Sequence, residues 1–112
     1  MKTSHQLIQR IALTGLSHHQ YPFHAEQLVP GVELMLNPQP NNQYDRYAIA
    51  VHMQNEDGTF GDQIGWIPKG ENEMLFRILQ GEAEVRCKII SHDPKAPLGS
   101  RLYVGNYLTI QE

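Results

Sequence analysis

The chain has 112 residues and a mass of 12.8 kDa, the size of one domain, with 40% hydrophobic and 19% charged residues. A mean hydropathy of −0.45 excludes a disordered or membrane-embedded chain, and no apolar run approaches the ~20 residues that span a bilayer. Nine Lys+Arg against 12 Asp+Glu give a net charge of −3, which argues against non-specific coating of long nucleic acid and leaves room only for a small local site.

From the N-terminus, Met1 to Gln6 lack the apolar core and cleavage site of a signal peptide. With one cysteine, Cys87, no internal disulfide can form, so the expected compartment is the reducing cytoplasm. Turn residues then cut the chain into short pieces. Residues 10–16 place Ile11 and Leu13 on one face and Ala12 and Thr14 on the other. A weak helical turn is expected at 24–28, before Pro30-Gly31. Residues 32–36 alternate Val32, Leu34 and Leu36 against Glu33 and Met35. Residues 48–53 set Ile49, Val51 and Met53 against Ala48, Ala50 and a solvent-facing His52. Asp57-Gly58 marks a hairpin whose returning strand is 63–67. Residues 72–80 carry helical period: Asn72 as cap, Glu73 in the first turn, Leu75, Ile78 and Leu79 on one face, and Gly81 as a left-handed C-terminal stop. Strands follow at 85–90, with Val85, Cys87 and Ile89 opposite Arg86 and Lys88, and at 102–110, interrupted by Gly105 and Asn106. Period-two alternation throughout predicts a mainly β (α+β) fold. Its expected form is a small OB-like or SH3-like, partly closed barrel of about six strands with one or two short helices.

Six histidines raise the question of a metal. His18, His19 and His24 cluster, but a structural zinc site needs four ligands and the lone cysteine lies far along the chain. No metal and no cofactor are expected. Cys87 reads as a small core hydrophobe. No serine lies in a strand-to-helix nucleophile context, and no glycine-rich loop opens a helix. Asn55-Glu56-Asp57-Gly58 lacks the terminal glutamate of a calcium loop. Nothing here looks like an enzyme.

The informative stretch is Pro40-Asn41-Asn42-Gln43-Tyr44-Asp45-Arg46-Tyr47-Ala48-Ile49-Ala50-Val51, a polar loop with aromatic rings that feeds an apolar strand. Asp45 accepts hydrogen bonds from hydroxyl groups, Asn42 donates and accepts, and Tyr44 and Tyr47 offer flat faces. Gly65-Trp66-Ile67-Pro68-Lys69 adds a further ring and a cation. This set suits the end of a single nucleic-acid strand. The bland alternative is a structural turn, with Asn42 and Asp45 bonding the backbone and Tyr44 and Trp66 half-buried.

In the order and spacing of these pieces, together with Gly15-Leu16, Pro30-Gly31-Val32-Glu33-Leu34-Met35-Leu36 and Glu71-Asn72-Glu73, the sequence resembles the HIRAN domain family over residues 10–90. This small module occurs in certain SWI2/SNF2-type DNA-remodelling helicases and as free-standing bacterial or phage proteins. The resemblance implies an OB-like barrel that grips single-stranded DNA at a free 3′-hydroxyl end. It assigns the hydroxyl to Asp45, stacking on the end nucleotide to Tyr44, a neighbouring contact to Asn42, a phosphate contact to Lys69, and the groove wall to Trp66. DNA-binding helicase members of the family carry an arginine and paired tyrosines after the first Gly-Leu, where this chain has Ser17-His18-His19. His18 and His19 are therefore weaker stacking candidates, and Tyr21 and Phe23 are the nearby rings that could replace the tyrosines. The expected ligand is a single-stranded DNA 3′ end. The second reading is a protein-interaction module of a phage, mobile-element or defence system that uses the same groove, with a helicase, nuclease or defence protein as partner.

Overall fold

The computed structural model describes residues 2–112. Six strands form one antiparallel sheet: β1 (Thr3–Ala12), β2 (Glu33–Pro38), β3 (Ile49–Gln54), β4 (Phe60–Trp66), β5 (Val85–His92) and β6 (Leu102–Gln111), in the order β1-β6-β5-β2-β3-β4. Two helices complete it, α1 (Tyr21–His24) between β1 and β2 and α2 (Glu73–Gln80) between β4 and β5. The β2–β5 joint is short, pairing Glu33 with Lys88 and Leu34 with Cys87. Around it the sheet curls until its outer strands meet at one point. Thr14, just past β1, and Trp66, the last residue of β4, exchange both backbone hydrogen bonds, at 3.0 and 2.9 Å. Gly65 permits this contact, because a Cβ there would lie 2.8 Å from the Thr14 carbonyl oxygen. The result is a barrel-like sheet, closed at a single bridge rather than along its length.

The concave side holds the core. Leu13, Ile49, Val51, Ile64, Leu102 and Val104 are fully buried on their strands, and Leu75 and Phe76 bring α2 onto them. Each such side chain contributes about 1.5–3 kcal/mol relative to exposure. Cys87 belongs to this core; burial, and to a lesser degree Glu33, pushes its thiol well above the ordinary range, so it is not poised to react. Among the described residues no helix is long and apolar enough to cross a membrane.

Several expectations need correction. β1 begins at Thr3, seven residues before the predicted start at Arg10. Residues 3–7 are exposed on both faces and show no alternation; they form strand only because they pair with 107–111 of β6. Gly105 and Asn106 do not interrupt β6. They pair with Arg10 and Gln9 on one side and with Lys88 and Cys87 on the other, and the irregularities fall in β1 and β5 instead. On α2, Phe76 is buried and touches Tyr47 edge-on, whereas Ile78 borders a surface groove with Glu73, Met74 and Arg77. Gly81 is extended (φ −87°), not left-handed. His52 is half-buried rather than solvent-facing, with its Nδ1 bonded to the Gly61 carbonyl at 2.9 Å and its Nε2 to the Asn37 side chain at 3.2 Å.

Candidate functional site

The loop from β2 to β3, residues 39–48, builds itself from side-chain oxygens. Asn42 Oδ1 accepts the backbone N–H groups of Tyr44 and Asp45, at 2.9 and 3.1 Å. Asp45 Oδ1 accepts the N–H of Tyr47 at 2.9 Å. At the base, the Gln39 N–H donates to the Ala48 carbonyl at 2.8 Å. Asn and Asp are suited to such turns because their short side chains mimic a backbone acceptor. Asn42 and Asp45 therefore do form the turn, but Tyr44 does not pack into it. Its side chain stands out of the loop, 79% exposed.

Two ties from elsewhere fix this loop. Asn72, only 2% exposed, makes no helix-capping side-chain bond; its Nδ2 donates to Asp45 Oδ2 at 2.8 Å. Lys69 Nζ donates to the Tyr44 carbonyl at 3.2 Å. Each Asp45 oxygen then has one partner and a lone pair to spare, and the Lys69 ammonium keeps two further protons.

Trp66 faces this loop from the end of β4. Gly15 lets the indole come close: its φ is +71°, and a Cβ there would lie 3.0 Å from Trp66 Cδ1. The indole Nε1–H donates to His19 Nε2 at 2.7 Å, with the two rings edge-to-face at 5.8 Å. Accepting this bond requires a neutral His19 with its proton on Nδ1. Burial, and then the neighbouring His18 and His52, hold the His19 pKa below its ordinary value and favour that form.

Together these elements enclose a cleft of about 340 Å³ lined by Thr14, Asn42, Tyr44, Asp45, Ala48, Trp66, Ile67 and Lys69. Five sequence candidates, Asn42, Tyr44, Asp45, Trp66 and Lys69, thus share one cavity. His19 bonds to Trp66 without lining the cleft, and His18 is exposed on a 3-10 turn away from the lining. Tyr21 is not a replacement ring. It is 5% exposed, with its hydroxyl on His92 Nε2 at 2.7 Å. Phe23 is exposed but outside the lining. Sequence reasoning passed over Thr14, Ala48, Ile67 and Asn72. For Thr14 the signal was present, since alternation puts it opposite Leu13; for Asn72 none was.

Among the described residues no group of three or more His, Cys, Asp or Glu side chains could hold a metal ion. What the cleft offers is an exposed ring, a half-buried ring over an apolar floor, a carboxylate with spare lone pairs and an ammonium.

The comparisons with known proteins agree on the architecture. A crystal structure of a protein from Lactobacillus plantarum superposes with a TM-score of 0.80 at 14% identity, over 98% of this chain and 100% of that one. The HIRAN domain of human HLTF superposes with a TM-score of 0.68 at 20% identity, over 96% of this chain and 81% of that one. At these identities the likeness is one of fold. No curated protein matches significantly. The profile of the HIRAN domain matches residues 8–111, nearly the whole chain, and the chain therefore belongs to the HIRAN domain family.

Proposed function

We propose that this protein is a non-catalytic module that grips single-stranded DNA at a free 3′-hydroxyl end. The observation that carries the reading is the convergence in one cleft of the exposed Tyr44 ring, the Asp45 carboxylate and the Lys69 ammonium. Tyr44 stacks on the terminal base, a contact that tolerates any base because every base has a π face. Asp45, pinned by Asn72 and the Tyr47 N–H, accepts the terminal hydroxyl proton on a lone pair left free by those bonds. Lys69 faces the adjoining phosphate, and Asn42 holds the loop to shape. Trp66, steadied by His19, forms the opposite wall. The family resemblance assigns the same roles to the same residues. A single short site also fits the acidic net charge, since affinity here rests on a few contacts rather than on a basic surface.

A protein ligand for the same cleft is the second reading, favoured by its apolar floor of Ala48 and Ile67 beside Trp66. The two separate cleanly because Trp66 is the sole tryptophan and lies in the cleft. Titration with a single-stranded oligonucleotide is expected to change its fluorescence saturably, with an affinity that falls as salt rises. A flat titration overturns the DNA reading and leaves the protein ligand.

A further inference from the structure

Beside the cleft, two arginines converge on one phenol. Arg46 Nη2 and Arg77 Nη2 both donate to the Tyr47 hydroxyl oxygen, at 2.8 and 2.9 Å, and their guanidinium carbons lie 5.0 and 5.3 Å from the ring centroid. Phe76 holds the ring edge-on from the core side at 5.6 Å. With both lone pairs of the phenol engaged, its proton is left to donate outward. Two like charges drawn to one oxygen repel each other, and an anion between them relieves that repulsion. Glu73 meets only the Nε of Arg77, and the Arg77 side chain remains 63% exposed. Arg46 makes no ion pair among the described residues. Elsewhere the cations are engaged: Arg86 and Lys88 face Glu33 and Glu84, and Arg101 is bonded to the Ala96 carbonyl.

The cluster is also rigidly joined to the cleft. The Tyr47 N–H donates to Asp45 Oδ1, while Asn72, which donates to Asp45 Oδ2, opens the helix that carries Arg77. We infer that Arg46, Arg77 and the Tyr47 hydroxyl form a phosphodiester site for the strand running away from the nucleotide held in the cleft. The inference rests on the single-strand reading above and extends it to a second contact point. The two guanidiniums offer forked N–H donors to the phosphate oxygens, and the phenol supplies one O–H donor.

The test compares the intact protein with R46Q/R77Q on two probes ending in a 3′-hydroxyl, a dinucleotide and an oligothymidylate of about ten nucleotides. The double variant is expected to bind the longer probe about tenfold more weakly, with a salt slope smaller by about 0.7, and to bind the dinucleotide as before. Y47F, which keeps the ring, is expected to weaken the longer probe alone. R46Q by itself, at an exposed position, keeps the test valid if the double variant folds poorly. Unchanged affinity and slope for the longer probe overturn the inference and leave the cleft reading standing. Equal losses on both probes also overturn it, because the arginines would then act through the cleft. An intact protein that binds neither probe overturns both readings.

Discussion

The loop that enters β3, residues 39–48, and the loop that leaves it, residues 55–59, use the same local chemistry to different ends. In 55–59, Asp57 Oδ1 accepts the Thr59 N–H and hydroxyl at 3.0 and 2.6 Å, and Asn55 Nδ2 donates to the Thr59 hydroxyl and the Phe60 carbonyl. Gly58 takes the left-handed turn at φ +84°. Every one of these partners lies within the loop or next to it. The bonds from Thr59 hold the Asp57 carboxyl below its usual range, yet no distant element is engaged. The entering loop also closes on itself through Asn42 and Asp45, but Asn72 and Lys69 reach it from the far side of β4. A loop that satisfies only itself is a connection. A loop tied from outside presents its remaining groups at a fixed place, and here those groups are the Tyr44 ring and the free lone pairs of Asp45.

The strongest way to break this contrast is to cut the outside tie. Asn72→Ala removes a buried donor to a carboxylate and is expected to cost about 2–3 kcal/mol of stability, lowering Tm by several degrees and abolishing oligonucleotide binding. Asp57→Ala, made as the control in the self-contained loop, is expected to leave binding unchanged. Thermal melts and titrations on both variants check this. If Asn72→Ala melts and binds like the intact protein, the tie does not fix the loop.

Tyr44→Ala tests the display itself. Because the ring is 79% exposed, Tm is expected to stay put while oligonucleotide affinity falls by about 1.5 kcal/mol, roughly tenfold. A fall in Tm with no change in affinity would return Tyr44 to the structural turn.

The smallest expected effect concerns the opposite wall. The folded pKa of His19 lies below 6.5, so as pH falls through about 6.5 the unfolded chain takes up this proton first and stability declines. Within the folded protein, protonation at still lower pH removes the acceptor for the Trp66 Nε1–H. His24 runs the other way: its bond to Asp62 raises its pKa, so its contribution is full below 6.5 and lost as pH rises through its folded value. His19→Phe is therefore expected to remove an acid-side step in Trp66 fluorescence that begins below pH 6.5, while the His24 contribution to melting persists. An unchanged step in the variant would assign it to another group.

The same contrast explains what the sequence made legible. The strands with one buried face announced themselves by alternation, as in Ile49, Val51 and Met53, and the cleft residues of 42–45 and 66–69 stood in two contiguous stretches. The start of β1 was hidden, because Thr3 to Leu7 bury neither face and owe their conformation to β6. The part of Asn72 was hidden differently. By local rules it should cap α2, and a carboxylate 27 residues away outcompetes the helix end for its amide. The His19–Trp66 bond spans 47 residues and likewise exists only in the folded chain. Local propensity named the groups in the cleft; only tertiary structure showed which of them were held and by what.

The central claim is that Asp45 reads a terminal hydroxyl. It is tested most directly by comparing two single-stranded oligonucleotides of one sequence, one ending in a 3′-hydroxyl and the other in a 3′-phosphate, on the intact protein and on Asp45→Ala. The account predicts that the hydroxyl end binds more tightly by about 1–3 kcal/mol, because a phosphate there meets the carboxylate with like charge and offers no hydroxyl donor. Asp45→Ala should erase that preference while keeping most of the affinity for the strand. Equal binding of the two ends by the intact protein would contradict it.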